Sequence, residues 1–369
     1  MRIEIIDSLN KISQVEETYF FFEKNKSIPL GLKLNHLRRW WEYLGEYNNH
    51  KIGINKKLFF FIGYKKNDEP YFILPLMRIT QIKKKILKLN KIEFFSQTFG
   101  GPVMDIIHCD LSPEDIIYIF NYIKKNIKSY YIELAYIPEN SILINSFPDN
   151  FYLHSASMYI PLDSDYESIR KNIYSKNLRH VLNKFNRRIA EFPGNIKNKI
   201  IQNKEEILAY KDKIMNVSLS KINSKGMHSV YENQKIGEYY FSNLILKSNC
   251  FCSIYELNDD LLAYNMGFIN KDTVYAIDAA FNRNFSDSQK IGFGILAYDQ
   301  IVREFAGKFK KLDMGHGIDD YKFRFTKKFI PTYYLLLKGN QFLTLFWYSY
   351  TKKQLIKREK NLKNSLISY

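Results

Sequence analysis

The residues best suited to chemistry gather between positions 273 and 323. The stretch Gln289-Lys290-Ile291-Gly292-Phe293-Gly294 follows an apolar run, Val274–Phe281, and opens a helical pattern reaching Phe305. A strand, a short loop with two glycines and then a helix present bare backbone N–H groups and the positive end of a helix dipole to an anion. Glycine lets the backbone approach such a group closely. On this reading Gln289, Lys290, Ile291, Gly292, Phe293 and Gly294 cradle a phosphate or pyrophosphate through their backbone, with the Lys290 ammonium nearby. An ordinary glycine-containing helix start would give the same six residues.

Groups able to move protons are few. His316 lies between Gly315 and Gly317 directly after an apolar strand, and an imidazole ordinarily titrates near neutrality, where proton transfer needs it. A purely structural place in that loop is the alternative. Asp278 interrupts an apolar strand, so it is either buried with a partner or part of a site. Asp313 ends another strand and stands where it could orient His316. The basic stretch 165–192 offers Arg179, Arg187 and Arg188, whose guanidinium forks suit a pyrophosphate; a solvated helix face is the plainer reading.

Those groups need a scaffold, and 369 residues allow two domains with cores of their own. Hydrophobic content of 46% and aromatic content of 16% exclude a disordered chain. A formal net charge of +17 brings polyanions into consideration, although the basic residues are scattered along the whole length. Cys109, Cys250 and Cys252 cannot form a disulfide framework, and no second cysteine pair or histidine cluster completes a zinc site. Met1–Asp7 carries acids where a signal peptide needs a basic flank. No window approaches the roughly 18 apolar residues of a membrane span. A soluble, cytoplasmic protein without an integral membrane segment is expected.

Periodicity predicts a strand at Ile3–Ile6 and helices over 11–25 and 31–47, the second carrying Leu37, Trp40, Trp41 and Leu44 as core positions. A hairpin of Lys57–Tyr64 and Tyr71–Met77 follows, then a strand at Ile92–Thr98 and a helix from Pro113 to Ile127 capped by Ser112. Strands at Tyr130–Ala135 and Phe151–Pro161 close this half. Residues 165–192 read as one basic helix. The second half predicts a strand at Asn198–Gln202, helices at Lys204–Leu219 and Gln234–Lys247, and a hairpin of Phe251–Leu257 and Leu262–Ile269. The strand Thr273–Phe281, the glycine loop with its helix, and strands at Phe309–Met314 and Thr332–Lys338 complete it. Residues 340–369 form an aromatic and then basic helical tail. The halves share one order of elements at an offset of about 180 residues, with little residue identity. The expected boundaries are 1–162, a basic linker helix over 163–195, a second domain over 196–339 and the tail over 340–369.

The spacing Q-x-x-G-x-G resembles the acyl-CoA pyrophosphate loop of the GNAT N-acyltransferases, written R/Q-x-x-G-x-G/A, and the repeated order of elements is that of their fold. Over roughly residues 30–335 the chain resembles the CelD-like acetyltransferase family, tandem-GNAT relatives of the Fem transferases. The shared features are the Trp40-Trp41 helix, the basic stretch Arg179 to Arg188, and the segment Leu312–Phe323, which reads as D-x-G-x-G followed by Y-K. The resemblance implies an α/β (α+β) fold of two tandem GNAT-like domains, each a mixed central sheet flanked by helices. The first half has Gly100-Gly101-Pro102-Val103-Met104-Asp105 where the glycine loop would stand. The C-terminal half is therefore expected to hold the donor, and a degenerate N-terminal half to shape the acceptor side.

In such a site a neutral amine attacks a thioester directly, beside a splayed strand (here Tyr275–Ala280) that offers an N–H to the thioester carbonyl. The family's Y-K segment implies that Tyr321 protonates the leaving thiolate and that Lys322 binds an acceptor phosphate. The implied activity is acyl-CoA-dependent N-acylation of an amino-deoxy sugar, linked to dTDP or UDP, for O-antigen or capsule synthesis. Acetyl-CoA or a short hydroxyacyl-CoA would be the co-substrate, with no metal and no nucleic acid; a homodimer is left open. Two rivals stand beside it: a Fem-like aminoacyl-tRNA-dependent peptidyltransferase, and a non-catalytic basic adaptor. The adaptor would bind membrane or nucleic acid through Phe342–Trp347 and Lys352, Lys353, Lys357, Arg358 and Lys360, although packing of this tail on the body or a partner is preferred.

Overall fold

The computed structural model describes residues 1–8, 11, 13–26, 28–45, 54–83, 87–98, 101, 103–223, 230–246, 249–341 and 344–367. Gly100, Pro102, Phe342 and Leu343 lie outside these, as do the helix ends expected at 46–47 and 247. The chain divides into two compact units, one of Met1–Ala156 with Pro331–Ser368 and one of Ser157–Ile330.

The first unit begins with β1 (Arg2–Ile6), α1 (Ser13–Asn25), α2 (Leu34–Trp40), β2 (Ile54–Tyr64), β3 (Pro70–Lys83) and β4 (Leu87–Phe94). Next come β5 (Ile107–His108), α3 (Pro113–Asn126), β6 (Tyr131–Pro138) and α4 (Ile142–Ser146). β1 to β4 pair antiparallel in order, β5 adds to β3, and β4 runs parallel to β6. The β2–β3 hairpin turns at Lys65–Glu69, with Asp68 left-handed at φ 59°. A parallel step needs a crossover, and α3 supplies it. Ser112 and Asp115 cap α3 reciprocally, a device worth roughly 1 kcal/mol. Trp40 is buried, donates from Nε1 to the Thr98 carbonyl at 2.7 Å, and like Trp41 meets Phe95 edge-on. Trp40 is the core anchor its spacing predicts, whereas Trp41 is half-buried, in the π turn at Trp41–Gly45 that follows α2.

β7 (Phe151–Pro161) carries the chain from the first unit into the second, which owns it from Ser157 onward. Two helices, α5 (Tyr166–Asn172) and α6 (Lys176–Glu191), replace the single basic helix expected over 165–192. The break arises because Ser175 leaves the helical conformation and caps α6 by accepting from the Leu178 N–H. Then follow β8 (Ile196–Ile201), α7 (Lys204–Ala209), α8 (Lys211–Asn223) and α9 (Gln234–Leu246). β9 (Cys250–Leu257) and β10 (Asp260–Asn270) form a hairpin whose turn residues Asn258 and Asp259 both have positive φ, the geometry that matches strand twist. β11 (Thr273–Phe281), α10 (Arg283–Gln289), α11 (Phe293–Phe305), β12 (Lys311–His316) and α12 (Asp320–Phe325) complete the unit. β8 to β11 are antiparallel, β11 runs parallel to β12, and β12 pairs antiparallel with β7. Phe293, Leu296, Ile301 and Phe305 of α11 are buried against Phe251, Tyr255 and Val274 of this sheet, each large side chain contributing about 1.5–3 kcal/mol.

The last strand, β13 (Phe329–Lys338), pairs with β6 in the first unit. Among the described residues, and apart from β5, each unit thus runs as four antiparallel strands, a parallel fifth and a sixth: β1-β2-β3-β4-β6-β13 and β8-β9-β10-β11-β12-β7. The sixth strands are exchanged relative to the order read from the sequence, which ended the first half with Phe151–Pro161 and the second with Thr332–Lys338. Both are apolar runs of similar length, so periodicity identifies them as strands but not their partners. The tail forms α13 (Thr344–Ile367), which buries Trp347, Tyr348 and Leu355 on the first unit against Tyr131, Tyr152, Tyr334 and Leu336. No described helix is long and apolar enough to cross a membrane.

Candidate active site

An opening in the second unit forms where β11 and β12 part. The two pair only at Thr273–Tyr275 with Lys311–Asp313. β11 continues along β10 to Phe281, whereas β12 follows β7 through an irregular step between Asp313 and His316. Beyond Tyr275 the backbone of β11 therefore has no ladder partner on its β12 side. A bulge in β11 leaves Ile277 extra between Asp278, opposite Met266, and Ala276, opposite Gly267. Such a bulge re-aims the side chains beyond it. Gly267 is required there, since a Cβ would lie 1.8 Å from the Tyr275 carbonyl oxygen.

The glycine loop stands one short helix beyond the end of β11. That helix, α10, is absent from the sequence-based order; Asn282 caps it by accepting from the Phe285 N–H at 3.1 Å. Lys290 ends it in the left-handed conformation, φ 51° and ψ 41°. Ile291 and Phe293 are buried, so their share in any ligand site is backbone alone. A Cβ on Gly292 would meet the Phe185 ring of α6 at 2.5 Å, and one on Gly294 the Phe281 ring at 3.3 Å. The missing side chains therefore admit two aromatic rings as well as baring the backbone. α11 has no side-chain cap, and among the described residues the amides of Gly292 and Gly294 donate to no other protein group. Arg188 of α6 donates to the Lys290 carbonyl, which fixes a guanidinium against the loop. Gln289 bonds to Ser288 beside it, and the Lys290 side chain is exposed.

Asp278 faces two phenols: its Oδ2 accepts from Tyr231 at 2.5 Å and from Tyr264 at 2.8 Å. Burial holds both phenols well above the usual tyrosine pKa, so they remain donors. Asp313 is buried, and its Oδ1 accepts from the Ser157 hydroxyl at 2.5 Å and the Gly315 N–H at 2.8 Å. It braces the kink in β12, from which His316 follows. Tyr321 lies 3.4 Å from Tyr298, oxygen to oxygen. Burial raises the Tyr321 phenol, and Tyr298 is pushed up to about 12, so both hold their protons at neutral pH.

Lys322 is almost fully buried and donates to the carbonyls of Gly315, His316 and Gly317 at 2.9, 3.1 and 3.2 Å. Burial pulls its ammonium below the usual lysine value, opposed by Asp319 and Asp313. All three N–H bonds are used in the chain itself, so the structure gives Lys322 a task other than binding an acceptor phosphate. It clamps a loop whose glycines have φ of 75° and 104°. Lys322→Met should lower folding stability by about 2 kcal/mol, because three half-buried carbonyls lose a charged donor. Thermal unfolding measures this; an unchanged melting curve with a raised acceptor KM would return the residue to phosphate binding. Arg179 donates to the Lys171 carbonyl at 2.6 Å and so caps the end of α5, while Arg187 is an exposed partner of Glu191 at 3.8 Å. Of the three arginines, Arg188 is the one that meets the loop. Tyr231, Tyr264, Tyr298 and Phe185 carried no signal in the sequence beyond their apolar surroundings.

The family described as Acetyltransferase (GNAT) domain matches residues 176–323, from the start of α6 into α12. The chain carries a GNAT-type acetyltransferase domain and is an acyltransferase. Its fold is similar to that of a conserved protein of unknown function from Bacteroides thetaiotaomicron VPI-5482, at 14% identity and TM-score 0.54, covering 91% of this chain and 100% of that one. It is similar also to FemX, at 11% identity and TM-score 0.52, covering 90% of this chain and 97% of that one. These likenesses extend over both units and concern the fold alone. No curated protein matches the chain. The matched GNAT segment contains the glycine loop, Asp278, Asp313, His316, Tyr321 and Lys322.

Proposed function

We propose that the chain transfers an acyl group from acyl-CoA to the amino group of an amino-deoxy sugar, carried on a nucleotide and destined for a surface polysaccharide. The observation that carries this reading is the loop itself: two glycine amides with no protein acceptor among the described residues and the Arg188 guanidinium, set beyond the strand that parts from β12. Amides and a guanidinium converging at a helix start suit a pyrophosphate. The chemistry a bound acyl-CoA supplies is an activated thioester carbonyl.

The chain's own groups then have distinct tasks. The β11 backbone beyond Tyr275 offers N–H groups that hold and polarise a carbonyl. Asp278, held by Tyr231 and Tyr264, accepts a hydrogen bond from the acceptor's neutral amino group or a neighbouring hydroxyl. His316 takes the proton from the amine as it attacks, and Tyr321, backed by Tyr298, returns a proton to the thiolate. Asp313 and Lys322 hold the turn from which His316 projects. The acyl group expected is acetyl or a short hydroxyacyl.

A Fem-like transfer from aminoacyl-tRNA is the second reading, favoured by the likeness in fold to FemX. Mass spectrometry of products separates the two. The full chain, acetyl-CoA or a short hydroxyacyl-CoA, and a panel of dTDP- and UDP-linked amino sugars should yield one acylated sugar and an equal amount of free CoA thiol. Acylation of no sugar, or transfer only from aminoacyl-tRNA, would reject the proposal.

A further inference from the structure

The two faces of α13 are built for different surroundings. One is buried on the first unit through Trp347, Tyr348 and Leu355. The other exposes Leu345 by 66%, Phe346 by 63%, Tyr350 by 51% and Ile356 by 48%. At 100° per residue these four and the exposed Lys353, Lys357 and Lys360 share an arc of about 140°. Four of the ten large hydrophobic residues most exposed among the described ones lie in these twelve positions, so this is a patch rather than scatter. Phe346 and Tyr350 rest their edges on buried Trp347, at 5.2 and 6.3 Å between centroids, which keeps them proud of the surface. The aromatic and aliphatic side chains lead and the lysines follow; the helix as a whole has six basic residues and one acid, Glu359, which pairs with Lys363 at 2.8 Å.

We infer that the outer face of α13 docks the protein reversibly on an anionic lipid bilayer. Large apolar side chains and lysines on one side of a helix lying flat is the composition that sinks into the headgroup region, with lysine stems reaching up to anionic headgroups. A nucleic acid would satisfy the lysines and stack with Phe346 or Tyr350, but would leave Leu345 and Ile356 in water. A second copy meeting this face by a twofold axis would set Lys353, Lys357 and Lys360 against their own counterparts, a repulsion a bilayer does not impose. With one patch and no spanning helix among the described residues, attachment is peripheral and weakens with salt.

Co-sedimentation of the full chain with vesicles tests this without reference to catalysis. The chain should pellet with phosphatidylcholine vesicles containing about a third phosphatidylglycerol at about 0.1 M salt, not with phosphatidylcholine alone, and should be released at about 0.5 M salt. Lys353→Glu/Lys357→Glu/Lys360→Glu should weaken partitioning about tenfold or more, and Leu345→Ser/Phe346→Ser severalfold. All five positions are exposed, and unchanged circular dichroism and melting would show that the variants fold. The inference is overturned by a wild-type chain that stays in the supernatant, or by variants that pellet as well as wild type. It is equally overturned if the substitutions abolish a dimer or single-stranded DNA binding while leaving vesicle binding intact.

Discussion

Gly292→Asp should reduce acyl-CoA affinity by about 100-fold or more, a loss of roughly 2.7 kcal/mol. Hydrogen bonds from backbone N–H to a phosphate are of the charge-assisted kind, about 1.5–3 kcal/mol each, and a carboxylate beside them adds repulsion. Geometry complicates the interpretation, because the new Cβ would sit 2.5 Å from the Phe185 ring. Some of the loss must come from displacing the loop or the ring. Three further variants separate the causes. Gly292→Ala should weaken binding through the clash alone, and Gly292→Ala/Phe185→Ala should recover most of the affinity by removing the ring. Gly292→Asp/Phe185→Ala should recover little, since the charge stays. Calorimetric titration with acetyl-CoA reads all four; wild-type affinity in Gly292→Asp would remove the loop from donor binding.

The sequence made the loop visible because its signal is local: two glycines, a preceding apolar run and a following helical pattern lie within a few residues of one another. The same locality made the Ser112 cap and the Asn258-Asp259 turn legible. What stayed hidden depends on distant partners. α10 escapes the periodicity because six of its seven residues are polar and the helix is too short to show a period, with Asn282 as the cue. The exchange of β7 and β13 is a choice between two equally apolar strands. Lys322 reads as functional through the family's Y-K segment and Asp313 through its place at a strand end beside His316; the fold buries both, and both bond to the turn.

The first unit shows what the same order of strands does without a glycine loop. β4 and β6 pair only at Lys91–Tyr131 and Ile92–Ile132, a ladder one pair shorter than that between β11 and β12. Where they part, Gln97 inserts its Oε1, accepting from the Phe94 N–H at 3.3 Å and the Ala135 N–H at 2.9 Å. Alongside, Lys91 pairs with Glu93 at 2.8 Å and Glu133 at 3.3 Å in a buried cluster. The gap is filled by the chain's own polar groups. In the second unit the corresponding strand end carries Gly315 and Gly317, and Gly315 packs close to the Ala276 carbonyl. The asymmetry between the halves thus extends beyond the presence or absence of one motif, and it supports placing the donor in the second.

His316→Ala should lower turnover by about 100- to 1000-fold while leaving acyl-CoA affinity nearly unchanged, since general base catalysis contributes on that order. The expectation rests on how the residue is held. Gly315 and Gly317 flank it at positive φ, Lys322 fixes its carbonyl, and Asp313 pins the preceding kink through the Gly315 N–H. Its ring nitrogens are shielded from solvent. A surface turn has no need of so much bracing for a side chain without a task. Asp278 is the competing base, but its Oδ2 already accepts from Tyr231 and Tyr264, an arrangement better suited to holding an acceptor group in place. Steady-state kinetics decides between them. His316→Ala should lower kcat with acyl-CoA affinity kept, whereas Asp278→Asn should keep kcat and raise the acceptor KM. Retained turnover in His316→Ala would pass the proton to Asp278.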